Sequence, residues 1–179
     1  MPELTLVKPC LRYRQSFLAM TADFAAAQEY YHDFELAAGD FTAYLANAEK
    51  DEQHANLKPG YVPQTIFWLV KDGRTVLGES HLRHYLNPAL ELFGGHIGYR
   101  IRPSARRSHY GTTLLAMTLV KARDLGLQRV LVTCDDTNTG SYRIIESNGG
   151  ILLDKLIPPE HGILIRRYWI DILPANKTQ

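Results

Sequence analysis

The sequence predicts one α+β domain in which a central mixed, mostly antiparallel sheet is flanked by helices. Strand-like and helix-compatible segments follow one another in the order β-α-α-β-β-β-α-β-α-β-β. The length of 179 residues is that of a single domain, so we expect the domain to span residues 1–179. Hydrophobic residues make up 45% and charged residues 22%, which is the composition of a globular protein with a sizeable core.

The N-terminal part of the chain predicts one strand and two helices. Residues 4–9 are strand-like, and Pro9 limits this strand because it has no backbone N–H. Asp40 is a favourable N-cap for a helix from Phe41 to about Lys50. Before it, residues 12–29 predict a helix because apolar residues recur at spacings of three and four: Phe17, Met20, Phe24 and Ala27.

A loop and a hairpin are predicted next. The segment 51–63 is polar and is interrupted by prolines and a glycine, which predicts a loop. Two strands, 65–71 and 75–86, meet at Asp72-Gly73, a dipeptide typical of tight hairpin turns. Asn87-Pro88 predicts a further turn after the hairpin.

The second half of the chain alternates between strands and helices. Gly126 and Gly149 are suited to end two of its helices, because glycine adopts the left-handed conformation at helix C-termini. Asn138 is suited as the N-cap of the second of these helices. The predicted elements, in order, are a strand at 96–101, a helix at 112–124, a strand at 129–134, a helix at 138–148, and strands at 151–157 and 162–172.

The turn 106–112 stands between a strand and a helix and predicts an anion site. The first N–H groups of a helix lack intrahelical partners, and the helix dipole favours negative charge there. Arg106 and Arg107 add two positive charges. We expect this turn to hold a pyrophosphate, with the bare backbone of Gly111 facing it.

The segment from Arg106 to Gly111 fits the pattern Gln/Arg-x-x-Gly-x-Gly/Ala after a strand and before a helix. Together with VTCDDTNTGSYRIIESNGG downstream, it resembles the cofactor-binding core of the GCN5-related N-acetyltransferase (GNAT) superfamily. His109 stands where this family usually has its first glycine. The resemblance implies the GNAT-like acyl-CoA N-acyltransferase fold, with the strand at 96–101 splayed from the strand that follows it.

The resemblance further implies an N-acetyltransferase that transfers an acetyl group from acetyl-CoA to a primary amine. Arg100 and Arg102 share one face of their strand, which is either solvated or close to the cofactor. The residues that the resemblance places at acetyl-CoA are Ile101, Arg102, Arg106, Arg107, Ser108, His109, Tyr110, Gly111, Thr112, Asn138 and Ser141.

Catalytic candidates follow from the needs of acetyl transfer. In the resembled family a tyrosine seven residues after the helix-starting asparagine often protonates the departing thiolate, but this position is Ile145. Tyr142, one helical turn earlier, is the alternative donor. A general base must deprotonate the amine. The candidates are Glu79, His81 and His96, and ordered water is the alternative. Glu79 and His81 share one face of their strand by period two, so that the carboxylate can contact and orient the imidazole.

The acceptor remains open at the level of sequence. Segment 29–40 is rich in tyrosine, histidine and acids, and either lines a polar amine pocket or forms a solvated helix end. A small amine, an amino acid, an aminoglycoside and a protein N-terminus all fit. A non-catalytic acyl-CoA-binding sensor on the same fold is the alternative function, because of His109 and Ile145.

Composition argues against several other classes. The net charge of +1 gives no reason to expect nucleic acid or membrane as a partner. No signal peptide is visible, and no run approaches the ~18 apolar residues of a membrane span. Cys10 and Cys134 are expected to be buried thiols, and the seven scattered histidines predict no metal. We expect a cytoplasmic protein. The long apolar strand 162–172, taken as an exposed edge, predicts a homodimer through the C-terminal strands.

Overall fold

The computed structural model describes residues 2–53, 57–159 and 161–172. Its strands are β1 (Leu4–Val7), β2 (Gln64–Lys71), β3 (Thr75–Arg83), β4 (Ile97–Ile101), β5 (Arg129–Asp135), β6 (Ile151–Leu156) and β7 (Ile165–Asp171). Its α-helices are α1 (Arg14–Ala26), α2 (His32–Gly39), α3 (Phe41–Glu52), α4 (Pro88–Leu92), α5 (Tyr110–Asp124) and α6 (Thr139–Ser147).

The strands form two antiparallel sheets that adjoin between β4 and β5. The four-stranded sheet has the order β1-β2-β3-β4, and the three-stranded sheet has the order β5-β7-β6. The predicted α+β class with flanking helices is confirmed. The prediction that the last strand is a sheet edge is wrong, because β7 pairs with β5 on one side and β6 on the other. The edge strand of this sheet is β6.

Local sequence signals account for several element boundaries. Asp72 and Gly73 both have positive φ, 49° and 59°, as a tight hairpin turn requires, so the predicted hairpin is confirmed. The side chain of Asp40 accepts a hydrogen bond from the Ala43 N–H at 2.9 Å and caps α3 as predicted. Asn87 starts a short helix rather than a turn, since its side chain accepts a hydrogen bond from the Leu90 N–H.

Helix α2 lies in a segment where the sequence predicted no separate helix. It is only eight residues long, and its buried residues Phe34 and Ala37 give one helical repeat, too little for a periodic pattern. The helix predicted over residues 12–29 is shorter than expected: α1 ends at Ala26, and Ala27 is exposed. Residues 54–56 of the predicted loop lie outside the described part of the chain, while Asp51 and Glu52 belong to α3.

The four-stranded sheet is covered on both faces. On the front face, α1, α2 and α3 pack an aromatic cluster against β2, in which the Phe17 and Trp68 rings lie 4.4 Å apart. On the back face, α5 packs Leu114 against Leu69 and Leu77. The helices thus cover both faces of this sheet, but strand pairing is interrupted at the junction of β4 with β5.

At that junction one residue, His96, connects the two strands through its backbone and its side chain. The backbone N–H of His96 donates to the Leu131 carbonyl at 2.7 Å, and Nδ1 of the His96 ring accepts the Leu131 N–H at 2.9 Å. Beyond His96, β4 and β5 form no ladder within the described residues. The splay that the resemblance implied is present, so the edge of β4 that faces β5 is open.

Candidate functional site

The turn before α5 concentrates unpaired backbone donors. Arg107 and His109 both adopt positive φ, 62° and 60°, and His109 is the N-cap of α5. In the described part of the chain, the N–H groups from Arg107 to Thr112 have no hydrogen-bond partner. Successive N–H groups in left-handed turns at a helix start form a concave anion site. His109 therefore adopts the left-handed backbone conformation that glycine usually adopts at this position of the family, and this conformation is strained for histidine.

Two arginines beside this turn are held by acids of the α1 region. The Arg106 guanidinium forms two hydrogen bonds of 2.7 Å with the Glu29 carboxylate. Arg102 Nε lies 2.6 Å from Asp23 Oδ2. The hydrogen bonds from these arginines hold the pKa values of both carboxyls below their usual range. Arg107 is exposed and forms no ion pair within the described residues, so its guanidinium is the one free to contact a phosphate.

Gly111 faces a neighbouring helix instead of the anion site. A Cβ built on Gly111 would lie 2.5 Å from Ile144 Cδ1 of α6 and 3.7 Å from Ile101 Cγ1 of β4. The expectation that Gly111 leaves its open side to the pyrophosphate is therefore wrong: a side chain there would meet Ile144, and only the Gly111 N–H remains among the unpaired donors of the turn. This glycine allows α5 and α6 to approach each other.

The start of α6 borders the splay from the back. The Asn138 side chain accepts the Ser141 N–H at 3.0 Å, which is the cap that the sequence predicted. Tyr99, a residue that sequence reasoning did not select, spans the gap between β4 and α6. Its hydroxyl lies 2.9 Å from Ser141 Oγ and 3.1 Å from the Ser141 carbonyl oxygen. Burial raises the pKa of Tyr99, so its hydroxyl keeps its proton.

Tyr142 lies on the same helix with its ring against an arginine. The Arg166 guanidinium is 4.0 Å from the Tyr142 ring centroid, and Asp136 holds Arg166 at 2.7 Å. Ile145, the family's usual tyrosine position, has no exposed surface and belongs to the core. Tyr99 could have been found from the sequence, because side chains alternate along a strand and residues 97, 99 and 101 of β4 therefore share the back face.

On the front face, β3 and β4 carry a buried ionic cluster. Arg100 Nε lies 2.7 Å from Glu79 Oε1, and Arg100 Nη2 lies 2.7 Å from Asp33 Oδ2. His81 Nε2 is 3.2 Å from Glu79 Oε1 and 4.0 Å from Asp33 Oδ2. The Arg100 guanidinium also stacks on the Tyr31 ring at 4.0 Å. The predicted Glu79–His81 contact is present.

Burial and charge act in opposite directions on the two carboxyls of this ionic cluster. Burial disfavours the ionised form of Glu79, but Arg100 and His81 outweigh it and lower the pKa of Glu79. Burial and the charge of Glu79 raise the pKa of Asp33. Glu79 thus serves as a fixed negative charge that orients His81. Asp33 is the carboxyl on the accessible side, with 30% of its side chain exposed.

A polar corner adjoins Glu79 at the end of the ionic cluster. Glu79 Oε2, Tyr44 Oη and Trp68 Nε1 are buried and have no hydrogen-bond partner within the described residues. Trp68 and Glu79 are opposite each other on β2 and β3. An unpaired buried polar atom costs about 1–3 kcal/mol.

Asp33, Glu79 and His81 also have the residue types of a metal site, with ligand atoms within 4.8 Å of one another. The Arg100 guanidinium lies 2.7 Å from both carboxylates and supplies the positive charge there. The cluster is therefore held together by the ion pairs of Arg100 with the two carboxylates, next to the imidazole of His81.

His96, the third candidate base, is engaged in structure. Its Nδ1 accepts the Leu131 N–H, and burial together with the charge of Arg83 lowers the pKa of His96 to about 4. A nitrogen that accepts a backbone N–H has no lone pair left for an incoming amine. The geometry thus separates His96, which joins the two sheets, from His81, which faces the front of the splay.

An open space lies in front of β4, next to His81. Gly98 is the register partner of His81, and a Cβ built on it would meet no atom within 4 Å. Every other residue that shares this face of the strand has a side chain. The space over Gly98 lies on the front face, while the anion site lies in the turn that joins β4 to α5, the helix that packs on the back face. A ligand threaded through the splay would connect the two.

Comparison with known proteins agrees with this geometry. Residues 3–151 match the acetyltransferase (GNAT) domain family, which covers most of the chain. The protein belongs to this family of acetyltransferases. A comparison with curated proteins by sequence found no match.

Solved structures show the same fold at low identity. One is yncA, a putative acetyltransferase of Salmonella typhimurium with acetyl-CoA, at 12% identity, 98% coverage of both chains and a TM-score of 0.63. RimJ of Mycobacterium smegmatis in complex with CoA-disulfide has 15% identity, covering 94% of this chain and 81% of its own, with a TM-score of 0.70. The microcin C7 self-immunity acetyltransferase MccE, bound to acetyl-CoA and AMP, has 15% identity, 95% and 93% coverage and a TM-score of 0.69.

Proposed function

We propose that this protein is an acetyl-CoA-dependent N-acetyltransferase that transfers the acetyl group to a primary amine. The observation that carries the proposal is the imidazole of His81, oriented by the buried carboxylate of Glu79, beside the open space over Gly98. Membership of the GNAT acetyltransferase family and the acetyl-CoA in the structures of two fold neighbours support the choice of cosubstrate.

The residues present fit acetyl-CoA. The unpaired N–H groups from Arg107 to Thr112, the start of α5 and the exposed Arg107 would hold the pyrophosphate. The open edge of β4 near Ile101 would pair with the pantetheine arm, as a neighbouring strand would. In this arrangement the ion pairs of Arg102 with Asp23 and of Arg106 with Glu29 fix the turn. Asn138 and Ser141, at the start of α6, would contact the cofactor.

His81 is the base in this proposal. An acceptor ammonium has a pKa near 10 and must lose a proton before it attacks the thioester carbonyl. When Nε2 of His81 carries the proton that faces Glu79, Nδ1 is the basic nitrogen. The free N–H groups of the β4 edge would stabilise the oxyanion, and Tyr142 would protonate the departing thiolate.

Release of free thiol from acetyl-CoA, measured across a panel of amines, tests this proposal. We expect turnover that falls at least tenfold in His81→Gln, while acetyl-CoA affinity measured by calorimetry stays constant. His32→Gln is the matched control, because His32 is exposed on α2. Binding of acetyl-CoA without thiol release from any amine would favour the alternative, a non-catalytic acyl-CoA sensor.

We further propose a cytoplasmic homodimer built from single GNAT-like domains that span residues 1–179. Free Cys10 and Cys134 and the use of acetyl-CoA support a reducing compartment. The part of the chain described by the structure has no helix long and apolar enough to cross a membrane. Exposed apolar residues on the edge strand β6 support self-association: Ile151, Leu152 and Leu153.

A further inference from the structure

Arg83 is a half-buried arginine at the end of β3. Its Nη1 donates to the carbonyl oxygens of Gly94 and Gly95 at 3.1 and 3.0 Å. No carboxylate among the described residues lies within 4.0 Å of its guanidinium, and burial alone lowers the pKa of Arg83. By contrast, Arg100 and Arg102 are paired with acids at 2.7 and 2.6 Å. A partly buried cation without a counter-ion has lost hydration that an anionic ligand would offset.

The position of Arg83 links it to the space over Gly98. Glu79, His81 and Arg83 alternate along β3 and therefore share the front face, at about 6.6 Å for every two residues. Leu82, between His81 and Arg83, is fully buried against the back core, which fixes this alternation. Gly98 lies opposite His81, so the open space over it is bordered by Glu79 on one diagonal and Arg83 on the other.

The two sides of this space carry opposite charge. On one side, the carboxylates of Asp33 and Glu79 face a single guanidinium, Arg100, and leave one negative charge in excess. On the other side, the charge of Arg83 is not balanced by any acid of the described residues. An ammonium is favoured beside Asp33, and an anion is favoured beside Arg83, whose Nε and Nη2 form no hydrogen bond in the described chain.

We propose that Arg83 forms a carboxylate subsite and that the acceptor is a compact amine that also carries a carboxylate, such as an amino acid. This inference rests on the proposed N-acetyltransferase activity. The ammonium lies toward Asp33 and is deprotonated by His81, and the carboxylate accepts two hydrogen bonds from the free edge of the Arg83 guanidinium. Arg83 is thus a residue that determines acceptor specificity.

The test compares α-amino acids with their carboxamides as acceptors, so that each pair differs only in the negative charge. We expect the wild-type protein to use the best acid at least tenfold better than its amide in kcat/KM. In Arg83→Gln this preference should vanish because the acid loses rate, while the amide rate and acetyl-CoA affinity stay constant. Arg74→Gln, an exposed arginine in the β2–β3 turn, is the matched control and should keep the preference.

Equal or better use of the amides by the wild-type protein would overturn the carboxylate subsite and leave the acetyltransferase activity standing. This comparison needs no variant, so a poorly folded Arg83→Gln does not prevent the decision. If neither acids nor amides are acetylated, the proposed function fails by itself. Calorimetry with N-acetylated amino acids and their amides then decides about Arg83: tighter binding of the acids supports the subsite, and equal or absent binding contradicts it.

Discussion

Among the individual residues, the hydroxyl groups of Tyr99 and Ser141 meet between β4 and α6, at the back of the splay. Tyr99 reaches from β4 to Ser141 of α6, with 2.9 Å between the two hydroxyl oxygens, and Tyr142 follows Ser141 in the same helix. Two tyrosines are therefore available to protonate a departing thiolate, and they differ in their surroundings. Tyr99 is tied to the helix start by hydrogen bonds, whereas the Tyr142 ring is held by the Arg166 guanidinium.

We predict that Tyr142→Phe lowers kcat by roughly 10²-fold or more, the usual range for general-acid assistance, and hardly changes acetyl-CoA affinity. The ring and its contact with Arg166 remain, so only the proton is lost. Single-turnover kinetics measures the effect on chemistry. Tyr99→Phe is the comparison: if it lowers the chemical step while Tyr142→Phe changes it less than about threefold, Tyr99 is the donor.

Sequence reasoning succeeded for residues whose role depends on neighbours in the chain. The cap at Asn138 and the contact between Glu79 and His81 both follow from short spacings. It failed where a partner comes from far along the chain. Asp33 meets Arg100 across 67 residues, and Arg106 meets Glu29 across 77, pairings that no local pattern encodes.

At the scale of elements, the joint between β4 and β5 depends on a neutral histidine. Burial and the charge of Arg83 lower the pKa of folded His96 to about 4, below the usual value of 6.5. The unfolded chain therefore binds more protons between these values, and the contribution of His96 to stability is complete above pH 6.5 and lost as the pH falls toward 4.

We predict that the free energy of unfolding falls by up to about 3 kcal/mol through this single group between neutral pH and pH 4. Urea unfolding of the wild-type protein and His96→Gln, at several pH values, measures the difference in slope. The variant should be less stable at neutral pH and less sensitive to acid. The same acid sensitivity in both proteins would show that His96 does not titrate in this way.

The contact between α5 and α6 gives a second prediction at this scale. Gly111→Val should destabilise the fold by about 1–3 kcal/mol, because its side chain must displace Ile144. The double variant with Ile144→Ala should recover part of this loss, since the smaller side chain makes room. Thermal unfolding of the single and double variants measures the coupling. Without any recovery, the steric conflict lies elsewhere, for instance at the cofactor.

Most elements were predictable from periodicity and turn residues, but two helices were not. The hairpin at Asp72-Gly73 and helix α5 have strong local signals. Helices α2 and α4 have eight and five residues, too few for a pattern to stand out, and they are stabilised by what they pack against. The edge position of β6 depends on strand order, which a linear pattern does not contain.

At the scale of the whole molecule, β6 is the open edge of the three-stranded sheet and is apolar on both faces. Ile151, Leu152 and Leu153 are 69%, 43% and 50% exposed. The nearby charges are already matched within the chain, as Arg167 binds Asp154 at 2.6 Å and Lys155 binds Asp136 at 2.7 Å. A surface of this kind is better suited to a second apolar strand than to a charged partner.

We predict a homodimer at micromolar concentration, measured as mass by light scattering. Ile151→Lys should shift the mass to that of the monomer, because a charge on the edge strand opposes pairing. Leu125→Lys is the matched control: this residue is 48% exposed at the end of α5 and should leave the dimer intact. A monomer mass for the wild-type protein would contradict the prediction.

Glu29, which holds Arg106 of the proposed phosphate turn, also contacts Tyr31 beside the proposed acceptor space. Glu29 binds Arg106 on one side and accepts a hydrogen bond from the Tyr31 hydroxyl on the other, and the Tyr31 ring covers Arg100. Because Arg106 belongs to the turn, a phosphate bound there would shift the ion pair between Arg106 and Glu29, and with it the carboxylate that Tyr31 contacts. We therefore expect each substrate to change the affinity for the other, by the same factor in both directions. Glu29→Gln should reduce that thermodynamic coupling, measured as acetyl-CoA affinity with and without a bound acceptor.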